Sequence, residues 1–213
     1  MILRIAAVAA VMLGIGLFIF YLQWIGEGPL STAEDHHLRD MKERTTVPDS
    51  VVRYTFADFV ALPHGRPLAE FAPLERRGVA LEGYTQFASI AGDGDYHLTL
   101  SESPPQSLFN HRTITAEVTP EFTRGSARWS WEPLAAELRP LSWFVPPWPG
   151  GPRRVRVSGW LLYDFQYDAP FLPQKKPIIP GPVHQRLTGW EIHPVTRLEI
   201  WDEARGGFVD YPR

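Results

Sequence analysis

Residues 77–87 read RGVALEGYTQF, and this stretch decides the fold. Val79, Leu81, Gly83, Thr85 and Phe87 fall on one side of it. Ala80, Glu82, Tyr84 and Gln86 fall on the other. Alternation of this kind is the period of a β-strand with one buried face. Four further segments repeat it. After the Gly/Asp turn AGDG, Tyr96, Leu98 and Leu100 share a face. RTITAEVTP presents Ile114, Ala116 and Val118. RRVRVSGWLLYD presents Val155, Val157, Gly159, Leu161 and Tyr163. VTRLEIWD presents Leu198 and Ile200. Between the third and fourth strands, SWEPLAAELRPLSWF predicts a short helix, with Pro133 in its first turn and Pro140 at its end.

Five strands with a helix between the third and fourth is the order of an OB-like β-barrel. Gly83 and Gly159, midway along the first and fourth strands, suit the bends that close a small barrel. The expected fold class is therefore mainly β: a five-stranded OB-like barrel over residues 78–213 with one short helix. An irregular or helical lead-in is expected over 51–77 and a polar linker over 28–50. Twenty-one prolines and 17 glycines in 213 residues agree with many turns and few long helices.

The N-terminal segment reads as a transmembrane anchor, residues 1–27. No charge interrupts Ile5 to Ile25. At a helical rise this run spans roughly 30 Å, the thickness of a bilayer core. Arg4 precedes it; Glu27, Glu34 and Asp35 follow it. The positive-inside rule then puts the N-terminus in the cytoplasm and the C-terminal domain in the periplasm or outside the cell. A cleaved signal peptide is the alternative, and it exports the domain equally.

Composition narrows the chemistry. Cysteine is absent, which excludes thiol catalysis, Cys-ligated zinc, iron–sulfur clusters and disulfides. Removing Arg4, the single charge before Glu27, takes the net charge of the remainder from −3 to −4. An acidic domain has no overall attraction for nucleic acid, so a nucleic-acid partner is not expected. HExxH, Walker A, G-x-S-x-G and G-x-G-x-x-G are all missing.

Several groups of residues still carry chemistry. Asp93, Asp95 and His97 share a face if the segment is extended, and oxygen ligands with an imidazole suit a divalent cation. The competing reading is a hairpin turn whose Asp residues cap backbone amides. Glu191 and His193 in TGWEIHPVT also share a face; a carboxylate beside an imidazole can orient it as a general base. The competing reading there is a surface ion pair, with Trp190 and Ile192 in the core. His97, Glu191, His193 and Asp164 could meet in a metal-dependent hydrolytic site. Arg154 and Arg156 with Tyr163, Phe165, Tyr167, Lys175 and Lys176 form a basic–aromatic set of the kind that binds oligonucleotides, oligosaccharides or envelope polymers. The adjacent His36-His37 reads as part of a solvated linker. No cofactor is required by these patterns, though they leave room for a divalent metal ion.

GWLLYDFQY followed by TGWEIHPVTRLEIW, with GDGDYHLTL and ITAEVTP upstream, resembles a group of uncharacterised exported bacterial proteins with a small β-barrel of OB or staphylococcal-nuclease-like type. The resemblance covers about residues 78–202. It implies an exported β-barrel and brings no reaction, because the Asp/Glu and Arg positions of the nuclease pattern have no match here. Together these readings favour a membrane-anchored binding or scaffolding module of the cell envelope. Its partners would be the membrane and an envelope protein or polymer. A metal-dependent hydrolase using His97, Glu191 and His193 is the rival.

Overall fold

The computed structural model describes residues 11–21, 32–91, 94–104, 112–125, 152–167 and 185–211, with side chains except at 86–90 and 185. The chain divides into two compact units, Met1–Met41 and Lys42–Arg213. In the first, residues 11–21 form helix α1 and Ala33–Lys42 forms α2, which ends on the first residue of the second unit. Thr32 starts α2 with a reciprocal cap. Its Oγ1 accepts from the Asp35 amide at 3.2 Å, while its own amide donates to the Asp35 carboxylate at 2.8 Å. Among the described residues no helix is long and apolar enough to cross a membrane. Only 11–21 of the apolar run are described.

The second unit begins with β1 (Val51–Tyr54), α3 (Phe56–Val60) and α4 (Leu68–Glu75). It continues through β2 (Gly78–Ile90), β3 (Tyr96–Ser101), β4 (Arg112–Val118) and α5 (Pro120–Gly125). It ends with β5 (Arg154–Tyr163), a 3-10 turn (Phe165–Tyr167), β6 (Gln185–Arg186), β7 (Trp190–Asp202) and β8 (Gly207–Tyr211). The lead-in was expected to be irregular or helical, and it contains a strand as well. VVRY is too short to show a period, and β1 gains its ladder by lying parallel to the first residues of β2. The helix expected in SWEPLAAELRPLSWF lies outside the described residues.

β2, β3, β4, β7 and β5 make a closed five-stranded barrel. β2 pairs antiparallel with β3 and β5, β3 with β4, and β5 with β7; Ala116 and Ile192 join β4 to β7 in parallel. β8 extends the sheet beyond β7. The alternation read from the sequence is the alternation observed. Val79, Leu81, Leu98, Leu100, Ile114, Ala116, Val118, Val157, Leu161 and Leu198 are all fully buried in one core. Trp190 and Ile192 join them, so β7 starts earlier than VTRLEIWD and takes in WEIHP.

Gly159 shows why the barrel bends where it does. The β5–β7 register shifts on both sides of it. A Cβ at this position would lie 2.2 Å from the Pro194 carbonyl oxygen and 2.8 Å from Ile192 Cγ2. The obstacle is backbone of the neighbouring strand, which cannot swing aside. Gly159→Ala is therefore expected to lower stability by about 1–3 kcal/mol, read as a lower denaturant midpoint. An unchanged midpoint would show that β7 is not held this close.

Residues 44–46 are pinned to the outside of the barrel. Arg44 donates to the carbonyls of Glu75 and His193, each at 2.8 Å, and its guanidinium sits 5.2 Å from the Trp160 ring centre. The Trp160 indole N–H donates to the Thr46 carbonyl at 2.7 Å.

Candidate metal centre

The parity that buries the core also sends a second set of side chains to the barrel's outer face. Tyr96 and Leu98 point inward, so His97 points outward. The same logic puts Glu117 opposite Ala116 and Val118, and Glu191 and His193 opposite Trp190 and Ile192. His97 and Glu117 are direct cross-strand partners, and the Ala116–Ile192 pair brings β7 alongside. Asp95 enters from the β2–β3 turn, where Gly94 takes φ +93° and the Ala91 amide donates to the Asp95 carbonyl. Asp164 follows β5 directly, Arg186 lies on β6, and Lys42 ends α2.

These eight residues form one ionic network. His193 Nδ1 lies 3.1 Å from Glu191 Oε1 and 2.9 Å from Glu117 Oε2; carboxylates only accept, so this nitrogen carries a hydrogen and donates. His193 Nε2 lies 3.6 Å from Asp95 Oδ2. His97 Nε2 is 3.2 Å from Glu117 Oε1. Arg186 reaches Glu191 at 2.8 Å and Glu117 at 3.5 Å, and its guanidinium lies 4.1 Å from the Tyr167 ring centre. Lys42 Nζ lies 3.2 Å from Asp164 and 3.9 Å from Glu117. Glu117, Asp164, Glu191 and His193 are fully buried, and Asp95 is 5% exposed.

Burial opposes the charged form of His193, Glu117, His97 and Lys42, and the outcome depends on what the partners return. For His193, burial alone would lower the pKa. The Glu117 and Glu191 carboxylates, both close to Nδ1, outweigh it and raise the value to about 9. For Glu117, burial alone would raise the pKa, but His97, Lys42 and His193 hold it well below the ordinary carboxylate value. His97 goes the other way: burial outweighs Glu117 and lowers it. Burial also works against the Lys42 ammonium, and Asp164 and Glu117 overcome it and raise the pKa. Asp95, Glu117 and His193 each offer one ligand atom, all within 4.8 Å of one another, and this buried group could hold a metal ion.

The residues singled out in the sequence divide into two groups. His97, Glu191, His193, Asp95 and Asp164 come together. Glu191 and His193 do pair, but the pair is buried, not a surface ion pair as the blander reading had it. Asp93 and the loop lysines Lys175 and Lys176 lie outside the described residues. The basic–aromatic set is not one patch. Arg154 and Arg156 open the ten-residue strand β5 and Tyr163 closes it, at a rise of about 3.3 Å per residue. Arg154 pairs with Glu82 and stacks over Trp201, and Arg156 forks onto Glu199 at 2.7 Å and stacks over Phe208. Tyr163 packs in the core between Phe71 and Trp190; Phe165 packs partly buried against that core, and Tyr167 lies under Arg186.

Glu117, Arg186 and Lys42 are the members that sequence reasoning missed. Glu117 had one available signal: it ends the outward row Thr113, Thr115, Glu117 of a strand whose other face carries Ile114, Ala116 and Val118. Arg186 and Lys42 sit in polar runs with no period. No protein-family model matches the chain, and no curated protein matches it.

Proposed function

We propose that the chain is a membrane-tethered, extracytoplasmic binding or scaffolding module built on an OB-like barrel. Its contact surface is the end of the barrel at the β2–β3 turn, because the outer faces of β3 and β4 are themselves almost wholly buried. One observation carries the binding reading: a buried polar network lies beneath this turn and includes Asp95 of the turn itself, 3.6 Å from His193. The β2–β3 turn is the first connection of the barrel, and OB barrels take their ligands on that connection as well as on the face of the second and third strands. The pairing order β2-β3-β4-β7-β5, with a parallel β4–β7 contact, agrees with the OB order. The tether rests on the uncharged run Ile5–Ile25 and its charge-asymmetric flanks. The likeness of GWLLYD and WEIHPVT to exported barrels supports the same location.

A metal-dependent hydrolase using His97, Glu191 and His193 has less support. Glu191 already binds Arg186 and holds the Nδ1 proton of His193, so this pair is committed to orienting an imidazole. Oligonucleotide binding is disfavoured by the acidic balance and by the pairing of Arg154 and Arg156 with Glu82 and Glu199.

The test uses the full chain in its native membrane. A photoreactive residue replaces Ala91 in the β2–β3 turn or, as a control, Ala204 in the β7–β8 turn. Cross-linked adducts are expected from position 91 and not from 204. In spheroplasts, added protease should digest the barrel. A protease-protected barrel overturns the location. Absence of adducts at 91, or equal adducts at both positions, overturns the contact surface.

A further inference from the structure

We propose that Asp95, Glu117 and His193 form a binding site for one first-row transition-metal dication of the zinc type. Two carboxylates and the Nε2 of the imidazole would hold it. This goes beyond the envelope-module reading and does not depend on where the domain resides.

The first support is the state of His193. Its ring is fully buried, and Nε2 has no hydrogen-bond partner among the described residues. A buried polar atom with nothing to bond to is costly, so it points to a ligand that the side chains do not supply. Nε2 faces Asp95 Oδ2 at 3.6 Å, too far for a hydrogen bond. It is close to the spacing a metal would impose: two bonds of roughly 2.1 Å at a tetrahedral angle put their donor atoms about 3.4 Å apart.

The second support is the other side of the same ring. Nδ1 donates to Glu191, and Arg186 fixes Glu191 at 2.8 Å. A metal-binding histidine usually gives its second ring N–H to a carboxylate in this way, which sets the tautomer and leaves the opposite nitrogen's lone pair for the metal. Glu117 Oε2 is also without a hydrogen-bond partner, though it lies 2.9 Å from Nδ1, because the Nδ1 hydrogen is directed to Glu191. It remains available as a donor atom.

The third support is charge. The network holds four carboxylates, one ammonium and one guanidinium. In the metal-bound form, with both imidazoles neutral, two net negative charges remain, which one divalent cation cancels. One nitrogen and two oxygen donors favour zinc, manganese, iron or cobalt over calcium and magnesium, which take oxygen shells. Binding takes the Nε2 lone pair, and any proton there passes to solvent.

The experiment uses the full chain purified in detergent, stripped with a chelator, then equilibrated separately with Zn²⁺, Co²⁺ and Mn²⁺ and freed of unbound metal. About one equivalent of Zn²⁺ or Co²⁺ is expected to remain. Asp95→Asn and His193→Gln should each weaken binding by about 100-fold or more, and Glu191→Gln by roughly 10–100-fold through the lost tautomer control. A variant lacking the adjacent pair His36 and His37 should bind as the parent does. Circular dichroism checks that each variant is folded. A readout that needs no variant is Mn²⁺ broadening of amide resonances, expected to centre on residues 95, 117 and 193. Failure of the folded parent to retain metal overturns the proposal. So does equal retention by folded Asp95→Asn and His193→Gln, or broadening centred elsewhere.

Discussion

Replacing Glu117 by glutamine is expected to destabilise the barrel by about 3–5 kcal/mol, the cost of removing one partner from a buried ion pair. The side chain keeps its volume, so no cavity contributes. What changes is the charge that His193, His97, Arg186 and Lys42 all face within 3.9 Å. Those four groups remain, and each loses part of what offsets its desolvation. The pH dependence has a definite sign. The folded pKa of Glu117 lies well below its ordinary value of 4.5. Its contribution is therefore present above the unfolded value and lost as pH falls through the lower folded one. The stability gap between parent and variant should close in acid, and it should also narrow as pH rises from 6.5 toward about 9, where the His193 proton that Glu117 helps to hold is lost. Urea melts at several pH values, with chelator present, measure both. A gap under about 1 kcal/mol at neutral pH would mean that the network is solvated like a surface pair.

Trp190→Ala is expected to cost a similar amount, about 3–5 kcal/mol, for a different reason. Trp190 is fully buried and meets Phe71 edge-on at 5.4 Å and Tyr163 at 5.0 Å. Its indole N–H donates to the Pro63 carbonyl at 2.8 Å, tying the segment between α3 and α4 to the barrel. Alanine leaves a cavity and an unanswered carbonyl together. Trp190→Phe restores most of the volume but not the hydrogen bond, so it should fall between the parent and alanine. For a chain of this size the alanine variant should melt roughly 6–20 °C lower. A phenylalanine variant as stable as the parent would show that the indole hydrogen bond contributes nothing net.

The two residues also mark what could be read from the sequence. Trp190 was legible: it alternates with Ile192 on the apolar face, and alternation is enforced wherever one face of a strand is buried. The five barrel strands follow from the same rule. Glu117 was not legible, because period 2 says only that it points away from the core. Whether that direction leads to water depends on what packs there, and Lys42 and Arg186 lie 75 and 69 residues away in the chain. The same gap separates the competing reading of Glu191–His193 as a surface pair from the buried pair observed. β8 was overlooked although Gly206-Gly207, flanked by Trp201 and Phe208, is a hairpin signal; Gly206 takes φ +60° there. β1 is four residues long and offered no period.

The barrel's closure has a further consequence. Four of its seams carry six to eight paired positions each, and the β4–β7 seam carries one. Across that sparse seam run Glu117 of β4, Glu191 and His193 of β7, and Arg186 clasping both carboxylates. Ionic side chains fasten there what a backbone ladder fastens elsewhere. The barrel is woven along four lines and buckled along the fifth. Whatever draws on the buckle, whether a cation, a proton or a ligand, also acts on how tightly the barrel is shut.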